Sequence, residues 1–184
     1  MRDVLSIETE RLTLRRPAAT DAARIACFLT DVQVSRMTAV IPHPYPRTAA
    51  DGWLMLERAR RPLGVDHMFA IDLDREGLIG VIGAHKRGEA TEVGYWIGRP
   101  FWGEGFASEA LEGFVAEAET LGALEAGHFV DNPASGRVLE KAGFAYTGEL
   151  RKTFSLARGA KVESRRMQRC AKRQAQASQM EVCL

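Results

Sequence analysis

The segment Trp102-Gly-Glu-Gly-Phe-Ala-Ser108 lies between a predicted strand and a predicted helix. Gly103 and Gly105 allow positive φ and let a ligand approach the backbone closely. The helix behind them directs N–H groups and the positive end of its dipole at the same place, which suits a pyrophosphate. Its apolar residues form one stripe at helical spacing, namely Ala107, Ala110, Leu111, Phe114, Val115, Ala118 and Leu121.

A glycine-rich turn that only begins a helix would carry the same pattern, and G-x-G-x-A alone leaves both interpretations open. A Walker A loop is excluded because no Gly-Lys-Ser/Thr follows. A dinucleotide-binding loop is disfavoured, since the preceding strands look antiparallel and Ser108 replaces the third glycine of that motif.

Outward from this segment, hydrophobic periodicity and Gly/Pro positions predict the order β-α-α-β-β-β-α-β-α-β-β. Strands are expected at about 11–15, 68–72, 78–85, 91–97, 123–130, 144–153 and 161–168. Helices are expected at about 20–29, 49–60, 107–121 and 132–143. The order predicts an α/β (α+β) fold with a mixed, mostly antiparallel sheet of six to seven strands and about four helices.

Composition narrows the class of protein. A chain of 184 residues with 46% apolar residues fits one domain, and a net charge of +1 gives no general attraction to nucleic acid or membrane. Cys27, Cys170 and Cys183 are odd in number and far apart, which indicates reduced thiols. We expect no metal site, because no His/Cys cluster has ligand spacing. No signal-peptide core or transmembrane run is seen, so we expect a cytoplasmic protein.

Three further motifs flank the glycine segment in a fixed order. They are Glu8-Thr-Glu-Arg-Leu-Thr-Leu-Arg-Arg16, Glu92-Val-Gly-Tyr-Trp-Ile97 and Asn132-Pro-Ala-Ser-Gly-Arg-Val-Leu-Glu-Lys-Ala-Gly-Phe144. Together with the loop they resemble the GNAT superfamily of N-acetyltransferases, and within it the RimJ/RimL branch of ribosomal-protein N-terminal acetyltransferases and small-molecule relatives. The resemblance covers residues 8–168 as one GNAT domain and leaves 169–184 as a polar C-terminal tail.

The resemblance implies a GNAT fold, acetyl-CoA as co-substrate and transfer of its acetyl group to an amine by direct attack. The strand Tyr95, Trp96 and Ile97 would pair with the pantetheine amides, opened by a bulge at Gly94, and the Asn132 side chain would bind the same arm. The pyrophosphate would lie on the loop formed by Trp102, Gly103, Glu104, Gly105, Phe106, Ala107 and Ser108.

Two residues are catalytic candidates, Glu92 from its place in the strand and Ser135 by the resemblance. In the alternating strand Glu92 shares a face with Gly94 and Trp96, and it would act as base through a water. The alternative is a surface glutamate paired with Lys86 or Arg87. Ser135 would donate a hydrogen bond to the leaving sulfur, and the alternative is an ordinary first-turn serine. Many members place a tyrosine acid where this chain has Leu139, so that acid is excluded here. Other candidates are more often structural at such positions: His85, His128, Tyr45 and Trp53.

The acceptor has no readable motif. A protein N-terminus ranks first by resemblance, and small-molecule amines stay open. A non-catalytic acetyl-CoA-binding module is one alternative. A ribosome- or RNA-associated protein is another, because residues 151–173 hold nine Lys/Arg against Glu163; a solvated hairpin face explains this strip more simply, so we expect no nucleic-acid partner. The sequence is compatible with a homodimer.

Overall fold

The computed structural model describes residues 4–88, 90–118 and 121–170, without the side chain of Arg87. Eight strands form within these residues: β1 (Ser6–Glu8), β2 (Leu12–Arg15), β3 (Asp66–Leu73), β4 (Gly77–Arg87), β5 (Ala90–Ile97), β6 (Leu124–Phe129), β7 (Ala145–Ser155) and β8 (Ala160–Arg169). Residues 171–184, most of the expected tail, lie outside the described residues, whereas Arg169 ends β8.

Five helices accompany the strands in the described part of the chain. They are α1 (Ala22–Leu29), α2 (Val32–Ser35), α3 (Arg47–Arg60), α4 (Phe106–Ala118) and α5 (Pro133–Lys141). The expected helices all form. Periodicity did not reveal α2 or the strand β1, because four and three residues are too few to show a period. None of the helices in the described ranges is long and apolar enough to cross a membrane.

The strands form one sheet in the order β1-β2-β3-β4-β5-β6-β8-β7. Every neighbouring pair is antiparallel except β5 and β6, which run parallel because α4 provides the crossover between them. The mixed, mostly antiparallel sheet predicted from the sequence is confirmed.

The parallel pair is short. Register pairs join only Thr91 to Leu124 and Glu92 to Glu125, and from Val93 onward the two described strands separate. The bulge expected at Gly94 is wrong, since β4 and β5 pair without a shift through Gly83 and Gly94. The strands part without it because β6 is paired along its whole length with β8 on its other edge.

Each face of the sheet carries its own core. α4 and α5 cover one face, where Phe114 packs edge-to-face on Phe69 with ring centroids 6.0 Å apart. α1 and α3 cover the other face, where Ile25 and Leu54 pack with Val81. Because strand side chains alternate, neighbouring residues of β5 serve opposite faces: Tyr95 and Ile97 pack toward α4 and α5, and Trp96 toward α1 and α3.

Candidate active site

A cavity of about 910 Å³ lies where β5 separates from β6. Its lining includes the first turns of α4 and α5 on one face of the sheet, and α1, α3 and the segment after α2 on the other. Gly94 of β5 lines this cavity, and a Cβ built on it would meet no atom within 4 Å. The separation of the strands therefore connects the two faces of the sheet through one cavity.

The glycine segment forms the entrance to α4. Gly103 and Gly105 have φ of 86° and 83°, the left-handed region that other residues rarely adopt. The Trp102 Nε1–H donates to the Ile97 carbonyl at 2.7 Å, which ties the loop to the end of β5. Six of the seven loop residues line the cavity; Glu104 does not, and its carbonyl accepts from Arg11 at 3.2 Å.

A pair of hydroxyl groups lies on the α4/α5 face. The Tyr95 hydroxyl is 2.9 Å from Ser135 Oγ and donates to the Ser135 carbonyl at 3.2 Å. Asn132 caps α5, its Oδ1 accepting from the Ser135 N–H at 3.3 Å. Burial raises the pKa of Tyr95 to about 12, so its hydroxyl keeps its proton at neutral pH. No sequence pattern indicates this pair, because forty positions separate its members.

A row of four polar residues crosses the sheet on the opposite face, and we call it the polar row: Asp66, His85, Glu92 and Glu125. They are direct cross-strand neighbours on β3, β4, β5 and β6. Arg166 on β8 donates to Glu92 at 2.7 Å and to Glu125 at 3.1 Å, and its side chain is only 11% exposed. Glu92 thus lies on the cavity wall with an arginine partner that the sequence did not indicate.

The other sequence candidates separate clearly. His128 is buried, contacts the Tyr146 hydroxyl at 3.0 Å and packs against α5, and it also lines the cavity. Leu139 lies in the core, so the position of the family's tyrosine acid has no polar group. Tyr45 and Trp53 pack in the α1/α3 core and also line the cavity. His85 faces the cavity as a member of the polar row.

Ion pairs partly neutralise the Lys/Arg-rich strip of residues 151–173. Arg158 binds Asp131 at 2.8 Å, Arg166 binds two glutamates, and Arg151 binds Glu149. Lys172 and Arg173 lie outside the described residues. Across the described ranges, no group of three or more His, Cys, Asp or Glu is placed to hold a metal ion.

Asp131 joins the turn between β7 and β8 to the end of α2 through Arg158 and Arg36. Hydrogen bonds from Arg158, with the charges of both arginines, lower the pKa of Asp131. A carboxylate pKa that is lowered in the folded state stabilises the fold at pH values above the ordinary carboxylate pKa of about 3.9. This contribution to the free energy of unfolding is lost as the pH falls through the folded-state pKa. Because the side chain is 40% exposed, we expect Asp131→Asn to cost under about 1 kcal/mol near pH 7. Urea unfolding should show that the difference in free energy of unfolding between the wild type and Asp131→Asn becomes smaller below about pH 4. A difference that does not change with pH would contradict a stabilising role for the Asp131 carboxylate.

Comparison with known proteins identifies the class. The sequence model of the acetyltransferase (GNAT) domain matches residues 11–145. The chain is also 34% identical over 157 residues to the Bacillus subtilis protein named uncharacterized N-acetyltransferase YoaA, covering 79% of this chain and 85% of that one. The protein is therefore an acetyltransferase and belongs to the GNAT family.

Solved structures share the fold at low sequence identity. Mycobacterium smegmatis RimJ in complex with CoA-disulfide aligns with a TM-score of 0.79 at 22% identity, covering 91% of this chain and 88% of that chain. RimL, a ribosomal L7/L12 α-N-protein acetyltransferase in complex with CoA, aligns with a TM-score of 0.78 at 17% identity, covering 90% and 97%. At these identities the likeness is one of fold.

Proposed function

We propose that the protein is an N-acetyltransferase that moves an acetyl group from acetyl-CoA to an amine by direct attack. The observation that carries this proposal is the single cavity through the β5/β6 separation. It has a helix N-terminus and a hydroxyl pair on one face and a polar row on the other. A thioester lying in the separation would be open to an amine from the opposite face.

The α4/α5 face is the proposed cofactor side. Phe106 to Ser108 form the start of α4, and the N–H groups of a helix N-terminus favour the negative charge of a pyrophosphate. The loop glycines have no Cβ to obstruct that approach. β5 is unpaired with β6 along Tyr95 to Ile97, so its edge can receive the pantetheine amides as a strand would. The Asn132 amide, at the start of α5, is the proposed partner for the same arm.

The chemistry then divides between the two faces. The neutral amine attacks the thioester carbonyl, and a backbone N–H of β5 at Trp96 or Ile97 stabilises the developing oxyanion. Glu92 acts on the acceptor side, where its carboxylate holds the water through which the amine loses a proton. Ser135, oriented by Tyr95 and Asn132, donates a hydrogen bond to the departing thiolate.

We propose an α-amine of a protein N-terminus as the first acceptor class, in a cytoplasmic setting and with RimJ/RimL-like activity. An α-amine has an ordinary pKa of about 8 against about 10.4 for a lysine amine, so it needs less help from a base. RimL shares the fold and is named an α-N-protein acetyltransferase, and the Vibrio fischeri structure with this fold is named a ribosomal-protein-S5-alanine acetyltransferase. Apolar side chains at Ile41, Trp53 and Met68 line the acceptor side and would contact an apolar residue beside the amine.

Thiol release from acetyl-CoA tests the function directly. The purified chain would be supplied with a panel of peptides with free α-amines, the same peptides N-terminally blocked but carrying lysine, and a polyamine. We expect release with a free α-amine and a product heavier by one acetyl group. Turnover with the polyamine alone would show that the acceptors are small amines. The absence of any amine-dependent thiol release would overturn the proposal.

Ser135→Ala tests the role on the cofactor side. Loss of one hydrogen bond to a charged leaving group is expected to lower kcat by about tenfold, with acetyl-CoA affinity nearly unchanged. Tyr95→Phe should lower kcat less, and the double variant should lose little more than Ser135→Ala because the two hydroxyls act as a unit. Steady-state kinetics and calorimetry separate the effects; an unchanged kcat in Ser135→Ala would remove Ser135 from the mechanism.

A further inference from the structure

His85 has the arrangement of a histidine prepared to accept a proton. Its Nδ1 is 2.9 Å from Asp66 Oδ1, and the Asp66 side chain is 12% exposed and also binds Arg60 at 3.0 Å. An arginine-paired aspartate is an anion, so the hydrogen of the neutral imidazole is placed on Nδ1. Nε2 is then left as the acceptor, which is the tautomer that a general base requires.

The position of His85 connects this pair to the reaction. His85 lies directly opposite Glu92 in the β4/β5 register, and both side chains point to the acceptor face and line the cavity. Directly opposed side chains in an antiparallel pair have Cβ atoms about 5 Å apart, a gap that one water can span. Gly83 and Gly94 form the next pair on the same face of the sheet, and Gly94 leaves open space beside Glu92 for an amine.

Glu92 and His85 differ in the partners that each would keep on taking up a proton. Protonating Glu92 would give up its ion pair with Arg166 at 2.7 Å. Protonating His85 would instead turn the hydrogen bond between a neutral imidazole and the Asp66 carboxylate into an ion pair. The charged groups around His85 are Asp66 on β3, Arg60 at the end of α3 and Glu92 on β5.

We propose that His85 is a second catalytic base, which takes the proton of the acceptor ammonium through the water held by Glu92, with Asp66 as its positioning residue. This inference rests on the proposed acetyl transfer. The ammonium gives one proton through water to His85 Nε2, and the free amine forms the C–N bond as the C–S bond breaks. The second amine proton goes to the CoA sulfur, and His85 releases its proton to solvent, so one proton is produced per turnover.

The pH dependence of His85→Gln separates a base from a structural residue. Glutamine can still donate to Asp66 but cannot hold a proton. We expect about tenfold to thirtyfold lower kcat/KM near pH 7 with the best acceptor of the panel. The loss should shrink to within about threefold one pH unit above the amine's own pKa, because the amine is then already neutral. Acetyl-CoA affinity should be unchanged, and Asp66→Asn should lower kcat/KM with the same pH trend.

His43→Gln is the matched control, since His43 is exposed and lies outside the cavity lining. It should retain wild-type kcat/KM at every pH. A His85→Gln variant with wild-type rates near pH 7, or with an equal loss at all pH values, would overturn the role of His85 while leaving acetyl transfer intact. A wild-type chain that releases no thiol with any amine would overturn both proposals, which distinguishes the two failures.

Discussion

Gly105→Glu is expected to weaken acetyl-CoA binding by about 100-fold or more, which corresponds to about 2.7 kcal/mol. Gly105 precedes the first turn of α4 with φ of 83°, and a Cβ there would lie 3.5 Å from the Arg11 guanidinium. The new carboxylate would occupy the space assigned to the pyrophosphate. Two like charges about 4 Å apart near a protein surface repel by about 4 kcal/mol, so repulsion alone accounts for the loss.

Backbone strain has to be separated from this repulsion. An L-residue in the left-handed region costs about 1–2 kcal/mol whatever its charge. Gly148→Glu is the matched control, because Gly148 has φ of 82°, no atom within 4 Å of a built Cβ and a place outside the cavity. Calorimetry should show wild-type affinity for this control and an intermediate affinity for Gly105→Ala. Equal affinities for Gly105→Glu and the wild type would mean that the pyrophosphate does not bind at α4.

Glu92→Gln is expected to lower kcat by about 100-fold to 1,000-fold, within the range that general acid–base groups contribute. Glutamine keeps the size of the side chain but removes the charge that holds the water beside the amine. The substitution also leaves Arg166, a largely buried cation, with Glu125 as its remaining carboxylate in the polar row. Acetyl-CoA affinity should change little, because Glu92 lies on the acceptor face and not beside α4.

Glu125→Gln provides the comparison for this effect. It removes the same charge from the same arginine, whose Nη2 lies 3.1 Å from Glu125. If the carboxylate of Glu92 acts on the amine, Glu125→Gln should lose about fivefold or less in kcat. The measurement is kcat at saturating acetyl-CoA and acceptor. Equal losses of kcat in the two variants would show that the Arg166 ion pairs organise the cavity wall and that Glu92 has no separate role.

Local patterns predicted most of the fold. The α4 stripe repeats every three or four residues, and the structure buries Ala110, Leu111, Phe114, Val115 and Ala118 as that spacing requires. Pro133 at the first position of α5 and Gly143 just beyond its end placed that helix within a residue or two. These signals act through near neighbours along the chain, and for that reason a single sequence contains them.

The site contacts could not be predicted in the same way, because they depend on strand register. Arg166 reaches Glu92 across 74 positions, and Tyr95 reaches Ser135 across 40. A shift of one residue in any strand would turn these side chains to the opposite face. The sequence did give the alternation that puts Glu92 with Gly94 and Trp96, but not the neighbouring strand that completes the row. The contact between Asp66 and His85 could not be predicted for the same reason, since it is the β3/β4 pairing that brings them together.

Calorimetric titration of the purified chain with acetyl-CoA is the most direct test of the central claim, that the cavity through the β5/β6 separation holds this co-substrate. The account predicts saturable binding of about one acetyl-CoA per chain with a dissociation constant in the micromolar range, about −8 kcal/mol. The absence of measurable heat or saturation at millimolar acetyl-CoA would contradict it.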